Sequence, residues 1–359
     1  MTFENKQNLY NYKLKTKTHI HYKTNFKVLT IFFILFLLSC QPSKNAPEIS
    51  FYYWKTVFKL SENERICLNN NNVKNLYIRY FDIDLDEYKK PFPREIIRFE
   101  ELPENIIIIP VVYIKNSVML KDSIDLSDLA KKINDLINQI NRTKNINSHQ
   151  LQIDCDWTLN SKDNFMKFMG LIKTISKKKI SVTIRLHQIK YAEKTGIPIA
   201  DYGVLMYYNM GKIAGDSLNS VYDRETALKY LSSLDSYPLD LDLALPIFFR
   251  GVQIRDNKVV NLISKIDTES FKNDTNFIIQ DKTLVKVKNP NFKLGYYFKK
   301  NDLIKIENIN FEQLIEMSED VNSNLHKTPK RIIFFDLDSL NLKKYSDENQ
   351  DFKEIVNSF

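Results

Sequence analysis

The chain has 359 residues, with 52 lysines and arginines against 44 aspartates and glutamates, a formal charge of +8 and 43% apolar side chains. That length fits one large domain as well as two small ones. Three cysteines cannot build a disulfide framework and none has zinc-ligand spacing, so neither a stapled scaffold nor a zinc domain is expected.

The N-terminal stretch carries Lys6, Lys13, Lys15, Lys17, Lys23 and Lys27, then an apolar run over 28–38, then Ser39 and Cys40. That run is about half the roughly 20 residues a spanning helix needs, so residues 1–39 read as a signal peptide, with an internal apolar segment as the alternative. "LLSC" resembles the bacterial lipobox, which implies a lipid-anchored mature chain starting at Cys40, a linker over 40–50 and a place in the cell envelope, on the periplasmic or surface side. Residues 1–39 hold six of the lysines and one glutamate, so the remainder is near charge balance. No lysine or arginine stripe interleaved with aromatics is left, and no nucleic-acid partner is expected.

Eight β-rich apolar runs follow: "ISFYYW", "NLYIRYFDID", "NIIIIPVVYI", "HQLQIDCDW", "ISVTIRL", "YGVLMYYNM", "DLALPIFF" and "RIIFFDLD". Several are apolar on both faces, as buried parallel strands are. Leu126, Leu129, Ile133, Leu136, Ile137 and Ile140 sit at helical spacing after the third run, and Phe165, Phe168, Met169, Ile172 and Ile175 after the fourth. Further helices are expected around Ala227 to Leu234 and Phe311 to Met317. The alternation predicts an irregular (β/α)8 TIM-type barrel over 51–345, with a tail over 346–359. The first two connections, and the one after His187, look short on helix. An open doubly wound sheet is the alternative. Residues 252–305 are too long for a barrel loop and contain "NFIIQD", "TLVKVK" and "KLGYYF", which predicts a small strand-rich insertion between strands 7 and 8. Cys155, inside a core run, reads as a buried thiol.

Strand alternation points Asp154 and Asp156 one way and Ile153, Cys155 and Trp157 the other. Two carboxylates that close raise each other's pKa, which suits acid/base or orienting work, a cation site, or an interior hydrogen-bonded pair. The same spacing recurs at Asp82, Asp84 and Asp86 and at Asp336 and Asp338, where a crowded carboxylic acid raised toward neutrality could donate a proton and capping of the next helix is the alternative. Arg185 and His187 share a face at the fifth strand end; Arg185 is expected to neutralise the aspartates, and His187 to act as an acid/base group, a sugar contact or a structural residue. Tyr207, Tyr208, Phe248, Phe249, Tyr296 and Tyr297 offer either stacking surface or core.

"IDCDWT" resembles the fourth-strand motif D-G-I-D-I-D-W-E of family 18 glycoside hydrolases, the chitinases and endo-N-acetylglucosaminidases. Asp154, Asp156 and Trp157 match, while Leu151 stands at the first aspartate and Thr158 at the catalytic glutamate. "LMYYNM" is similar to the sixth-strand M-x-Y-D through Met206 and Tyr208, with Asn209 for the aspartate. "ALPIFFRG" is similar to the seventh-strand P-f-Y-G-R through Pro246 and Phe248, with Arg250 and Gly251 transposed. The resemblance implies a saccharide site at the C-terminal strand ends, with Met206, Trp157, Tyr208, Asn209, Arg250, Asp82 and Asp84 as contacts. It also implies that the family's substrate-assisted mechanism lacks its acid here, because a threonine hydroxyl cannot protonate a glycosidic oxygen.

The expectation is therefore a lipid-anchored barrel that processes carbohydrate by a divergent mechanism, with Asp154, Asp156, Asp336 and Asp338 as the candidate catalytic carboxylates. A noncatalytic glycan-binding barrel or a structural envelope protein are the alternatives. No cofactor is expected, and a divalent cation held through carboxylate oxygens is only a fallback.

Overall fold

Eight runs of β-branched and aromatic residues become parallel strands in the computed structural model, which describes residues 46–216, 218–346 and 350–359. They are β1 (Glu48–Tyr53), β2 (Asn75–Leu85), β3 (Ile107–Ile114), β4 (Gln150–Asp154), β5 (Lys179–Arg185), β6 (Tyr202–Met206), β7 (Leu241–Pro246) and β8 (Arg331–Phe335). Residues 1–39, expected from sequence to be a signal peptide, and Cys40 lie outside the described residues.

Each strand pairs in parallel with its neighbour in sequence. The ring closes where β1 takes both β8, with Glu48 opposite Arg331, and β2, with Phe51 opposite Leu76. Closure removes the open-sheet alternative and leaves no barrel edge to solvent. Burial on both faces explains the unalternating apolar runs: one face fills the barrel, the other meets helices.

The helices are α1 (Glu62–Asn70), α2 (Leu126–Lys144), α3 (Lys162–Ser176), α4 (Arg224–Leu231), α5 (Phe311–Asn322), α6 (Ser339–Ser346) and α7 (Phe352–Val356). In α2 the Asp125 side chain caps the N-terminus, accepting from Ser127 and Asp128, while Leu126, Leu129, Ala130, Ile133 and Ile137 are buried. Each such aliphatic side chain contributes roughly 1.5–3 kcal/mol by burial, so this stripe fixes α2 on the barrel far more strongly than its cap does. The first connection is richer in helix than expected: Ser61 and Glu64 form a reciprocal capping box that starts α1. The second has none, and a strand at Pro91–Arg94 folds back antiparallel on β2. After β5 come only two short helices, Leu186–Lys190 and Ala192–Thr195. Near the C-terminal end, Phe352 of α7 packs with ring centroids 5.6 Å from Phe51 and 4.5 Å from Phe334.

The insertion between β7 and β8 is a five-stranded antiparallel sheet running from Arg250 to Glu307, close to the expected 252–305. It has its own small core of Ile263, Ile266, Phe271, Phe277, Val285, Val287, Phe298, Ile304 and Ile306. Gly251 is required there, since a Cβ would stand 2.6 Å from Ile266 Cγ2.

The barrel interior is partly polar. The Tyr52 hydroxyl donates to Gln152 Oε1 at 2.8 Å, and Gln152 Nε2 donates to Ser181 Oγ at 3.3 Å. At the N-terminal end the Tyr77 and Tyr202 hydroxyls lie 3.2 Å apart and Arg331 stands 3.5 Å from Asp242. Asp242 Oδ1 accepts from the backbone N–H groups of Lys330 and Arg331 at 3.0 Å each.

Candidate functional site

The end of β4 delivers the two aspartates with unlike surroundings. Asp154 is buried and accepts from Thr183 Oγ1 at 2.7 Å. Burial pushes its carboxyl up to about 6, with Arg185 opposing and Asp156 adding. Asp156 is exposed, and the Arg185 guanidinium forks onto it, Nε to Oδ1 at 2.6 Å and Nη2 to Oδ2 at 3.2 Å. A bidentate, charge-assisted pair of this kind holds both side chains in one orientation. Between and after them, Cys155 and Trp157 turn the other way. Trp157 is 1% exposed, donates from Nε1 to the Thr195 carbonyl at 2.9 Å and stacks on Phe165 at 4.7 Å. Its ring therefore fastens the chain after β4 to its surroundings, while the residue borders the cleft above these strand ends.

Above these strand ends lie two cavities of about 600 and 550 Å³ that share Asp156, Arg185, Met206, Tyr208, Asn209 and Arg250, so they form one cleft with two lobes. Thr158 and His187 line the first lobe. Thr158 is exposed, with Asn116 Nδ2 3.4 Å from its hydroxyl. Burial and the nearby Arg185 hold the His187 imidazole below its usual pKa. Asp82, Asp154 and Asp336 line the second lobe together with Trp54 and Tyr113.

Only one member of each outer acidic pair reaches that lining. Asp336 is buried, accepts from Asn341 Nδ2 at 2.7 Å and is pushed by burial up to about 6, with Lys265 opposing. Asp338 sits behind it between Lys265 at 2.8 Å and Lys55 at 3.0 Å. Burial raises it, but these two ammonium groups outweigh that and hold it below the ordinary range. Asp82 is raised by burial despite Arg79 at 3.4 Å. Asp84 is lowered, chiefly by the Lys115 ammonium 2.5 Å away, with Arg94 at 3.3 Å. Asp338 and Asp84 thus serve as ion-pair partners behind the wall.

The floor is aromatic. Phe335 contacts Trp54 at 5.3 Å and Tyr208 at 5.7 Å, and Tyr208 contacts Phe248 at 5.9 Å. Arg185 lies over the Tyr208 ring at 5.9 Å. The Tyr208 hydroxyl points to Met206 Sδ at 3.8 Å. Phe249 joins the second lobe, whereas Tyr207 is fully buried and Tyr296 and Tyr297 lie on the insertion, outside both linings.

The rim is fixed by one buried carboxylate. Arg250 Nε donates to Glu307 Oε2 at 2.9 Å, and Glu307 also takes the Ser220 hydroxyl at 2.6 Å and the Lys305 ammonium at 3.0 Å. Asn209 begins this segment in the left-handed region at φ 54°, its N–H donating to the Val221 carbonyl at 2.8 Å.

Trp54, Tyr113, Arg79, Lys55 and Lys265 also line the second lobe and were not singled out from sequence. Trp54 and Tyr113 end apolar runs at strand tips, the signal used for the aspartates. Nothing local marks Lys265, which arrives from the insertion. Chemically, Asp154 and Asp336 can each hold or release a proton near neutrality, the Asp156–Arg185 fork offers paired hydrogen-bonding groups, and the floor offers apolar faces. Among the described residues no group of three or more His, Cys, Asp or Glu side chains stands in metal-ligating position.

No family model matches the chain, and no curated protein matches it. Among solved structures, the spore cortex-lytic enzyme SleL of Bacillus megaterium QM B1551 is 12% identical, over 86% of this chain and 76% of that one, with a TM-score of 0.49. A chitinase from Chromobacterium violaceum is 10% identical over 85% and 100%, with a TM-score of 0.49. A chitinase-like agglutinin from Robinia pseudoacacia is 12% identical over 86% and 98%, with a TM-score of 0.48.

Proposed function

We propose that this chain binds saccharide, of the acetamido-sugar type, in the two-lobed cleft, without hydrolysing it by the substrate-assisted route of family 18 glycoside hydrolases. The motif resemblance at β4, β6 and β7 supports the ligand class, and lobes of about 600 and 550 Å³ suit sugar rings laid on aromatic faces. The observation that carries the noncatalytic part is the state of the fourth-strand array. Thr158 stands exposed in the cleft where the acid belongs, and both Asp156 oxygens are held by Arg185. Losing a general acid costs about 10²- to 10⁴-fold in rate, and an aspartate already gripped by a cation is not free to orient an acetamido group.

A second reading has its own observation. Asp154 and Asp336 line the same lobe, each pushed up to about 6, as acid/base groups working near neutrality are. Titration calorimetry with N-acetylglucosamine oligomers, run beside a reducing-end assay, separates the two. Saturable binding without product supports the binding reading; turnover that Asp336→Asn abolishes selects the divergent hydrolase. Absence of any saccharide binding overturns both.

We further propose, from the basic stretch, the apolar run 28–38 and "LLSC", that the chain is exported and tethered to a membrane through Cys40. Labelled palmitate should enter the wild-type chain and not Cys40→Ser; equal labelling of both would remove the tether.

A further inference from the structure

The hairpin Asn291–Lys293/Tyr296–Phe298 projects from the insertion and carries the most solvent-exposed aromatic side chain of the described residues. Phe292 is 79% exposed, Leu294 58% and Tyr297 41%, with the Phe292 and Tyr297 rings 4.8 Å apart. The turn residues Leu294 and Gly295 both have positive φ, 53° and 80°. A two-residue turn of this kind strongly prefers Asn-Gly, because a branched apolar side chain in the left-handed region is costly. Here that position holds a leucine aimed into water, with nothing within 4 Å of the Cβ site at Gly295. Neither the turn nor the insertion core uses it.

Basic side chains surround the hairpin's base. The Asn301 N–H donates to the Val287 carbonyl at 2.9 Å, which sets Lys288 beside Lys300, with Lys299 next to it. Lys288, Lys299 and Lys300 make no ion pair among the described residues, whereas Lys293 is taken by Asp274 at 2.9 Å. Of the acids near the base, Asp302 is paired with Arg255.

We infer that this hairpin docks on an anionic lipid bilayer, Phe292 and Leu294 entering the headgroup and acyl boundary while Lys288, Lys299 and Lys300 meet the lipid charges. Three residues per strand give a reach of about 10 Å from lysine ring to tip, matching the depth at which interfacial segments seat their apolar face. Each basic side chain near an anionic surface adds attraction that salt screens. A soluble polyanion would use the lysines and stack on the aromatics, but gains nothing from an exposed leucine at the extremity. The inference does not depend on the saccharide reading.

The test uses the full chain with Cys40→Ser, so that covalent lipid contributes nothing, and with Phe292→Trp as a reporter at the tip itself. The same chain lacking the reporter is subtracted to remove Trp54 and Trp157. With phosphatidylglycerol vesicles the emission should move to the blue and be quenched by brominated acyl chains, and with phosphatidylcholine vesicles much less so. Leu294→Asn, a residue the turn favours, should keep the melting temperature at or above that of the parent and weaken vesicle binding at least tenfold. Changing Lys288, Lys299 and Lys300 to Gln should abolish its salt dependence. Unchanged emission at position 292, Leu294→Asn binding as the parent does, or heparin bound as tightly as vesicles would each overturn the inference, the last in favour of a polyanion site.

Discussion

At the C-terminal end of the barrel, Arg185 grips Asp156 beside the buried Asp154; at the N-terminal end, Arg331 stands 3.5 Å from the buried Asp242. Burial pushes both Asp154 and Asp242 up to about 6. The surroundings differ in access. Asp154 lines a lobe of about 550 Å³ with an aromatic floor, whereas Asp242 borders a space of about 30 Å³. A raised carboxylate beside an arginine therefore records burial, which both ends share. Open volume and stacking faces are what single out one end as the candidate binding site.

The largest effect that could break this contrast is at the closed end. Arg331→Met strands a buried carboxylate and should cost about 3–5 kcal/mol in urea denaturation, with saccharide affinity intact. A loss of affinity of the same size would mean the two ends are coupled.

Next comes the pH dependence of stability. The folded pKa of Asp242, about 6, lies above the unfolded value of about 3.9, so the folded state holds the proton more tightly. That contribution is present below about pH 4 and is lost as pH rises through 6, about 3 kcal/mol at 1.36 kcal/mol per pH unit. Asp242→Asn should flatten that part of the curve and leave binding alone. Asp154→Asn should flatten a similar part and also weaken binding.

A smaller effect is expected at the open end. Because Asp156 is exposed, Arg185→Met should cost only about 1 kcal/mol of stability. It should weaken saccharide affinity about tenfold or more, equivalent to about 1.4 kcal/mol, read by calorimetry. Smallest is His187→Gln, at the edge of the first lobe, whose loss should change stability by less than about 0.5 kcal/mol.

The barrel was legible because parallel strands buried on both faces write themselves as uninterrupted apolar runs, and because α2 and α3 show their stripes. α1 was harder to read: its nine residues bury only Glu64 and Leu68, so its signal is the capping box and not a stripe. At the site, alternation separated Asp154 and Asp156 from Trp157, but it could not say that Asp336 faces the cleft while Asp338 faces lysines. That division depends on Lys55 and Lys265, which come from distant parts of the chain. The Glu307 hub was equally invisible, since its partners at 220, 250 and 305 meet only after folding.

That hub has an engineering corollary. A single anion bonds the insertion's first strand, its last strand and the segment following β6. Moving either piece alone would leave the buried Glu307 paired with Arg250 and Lys305 but without the Ser220 hydroxyl and N–H that complete its partners, so the two pieces fit best when exchanged together. Any attempt to engineer new ligand preference by loop exchange should therefore transplant residues 209–221 and 250–307 as one cassette.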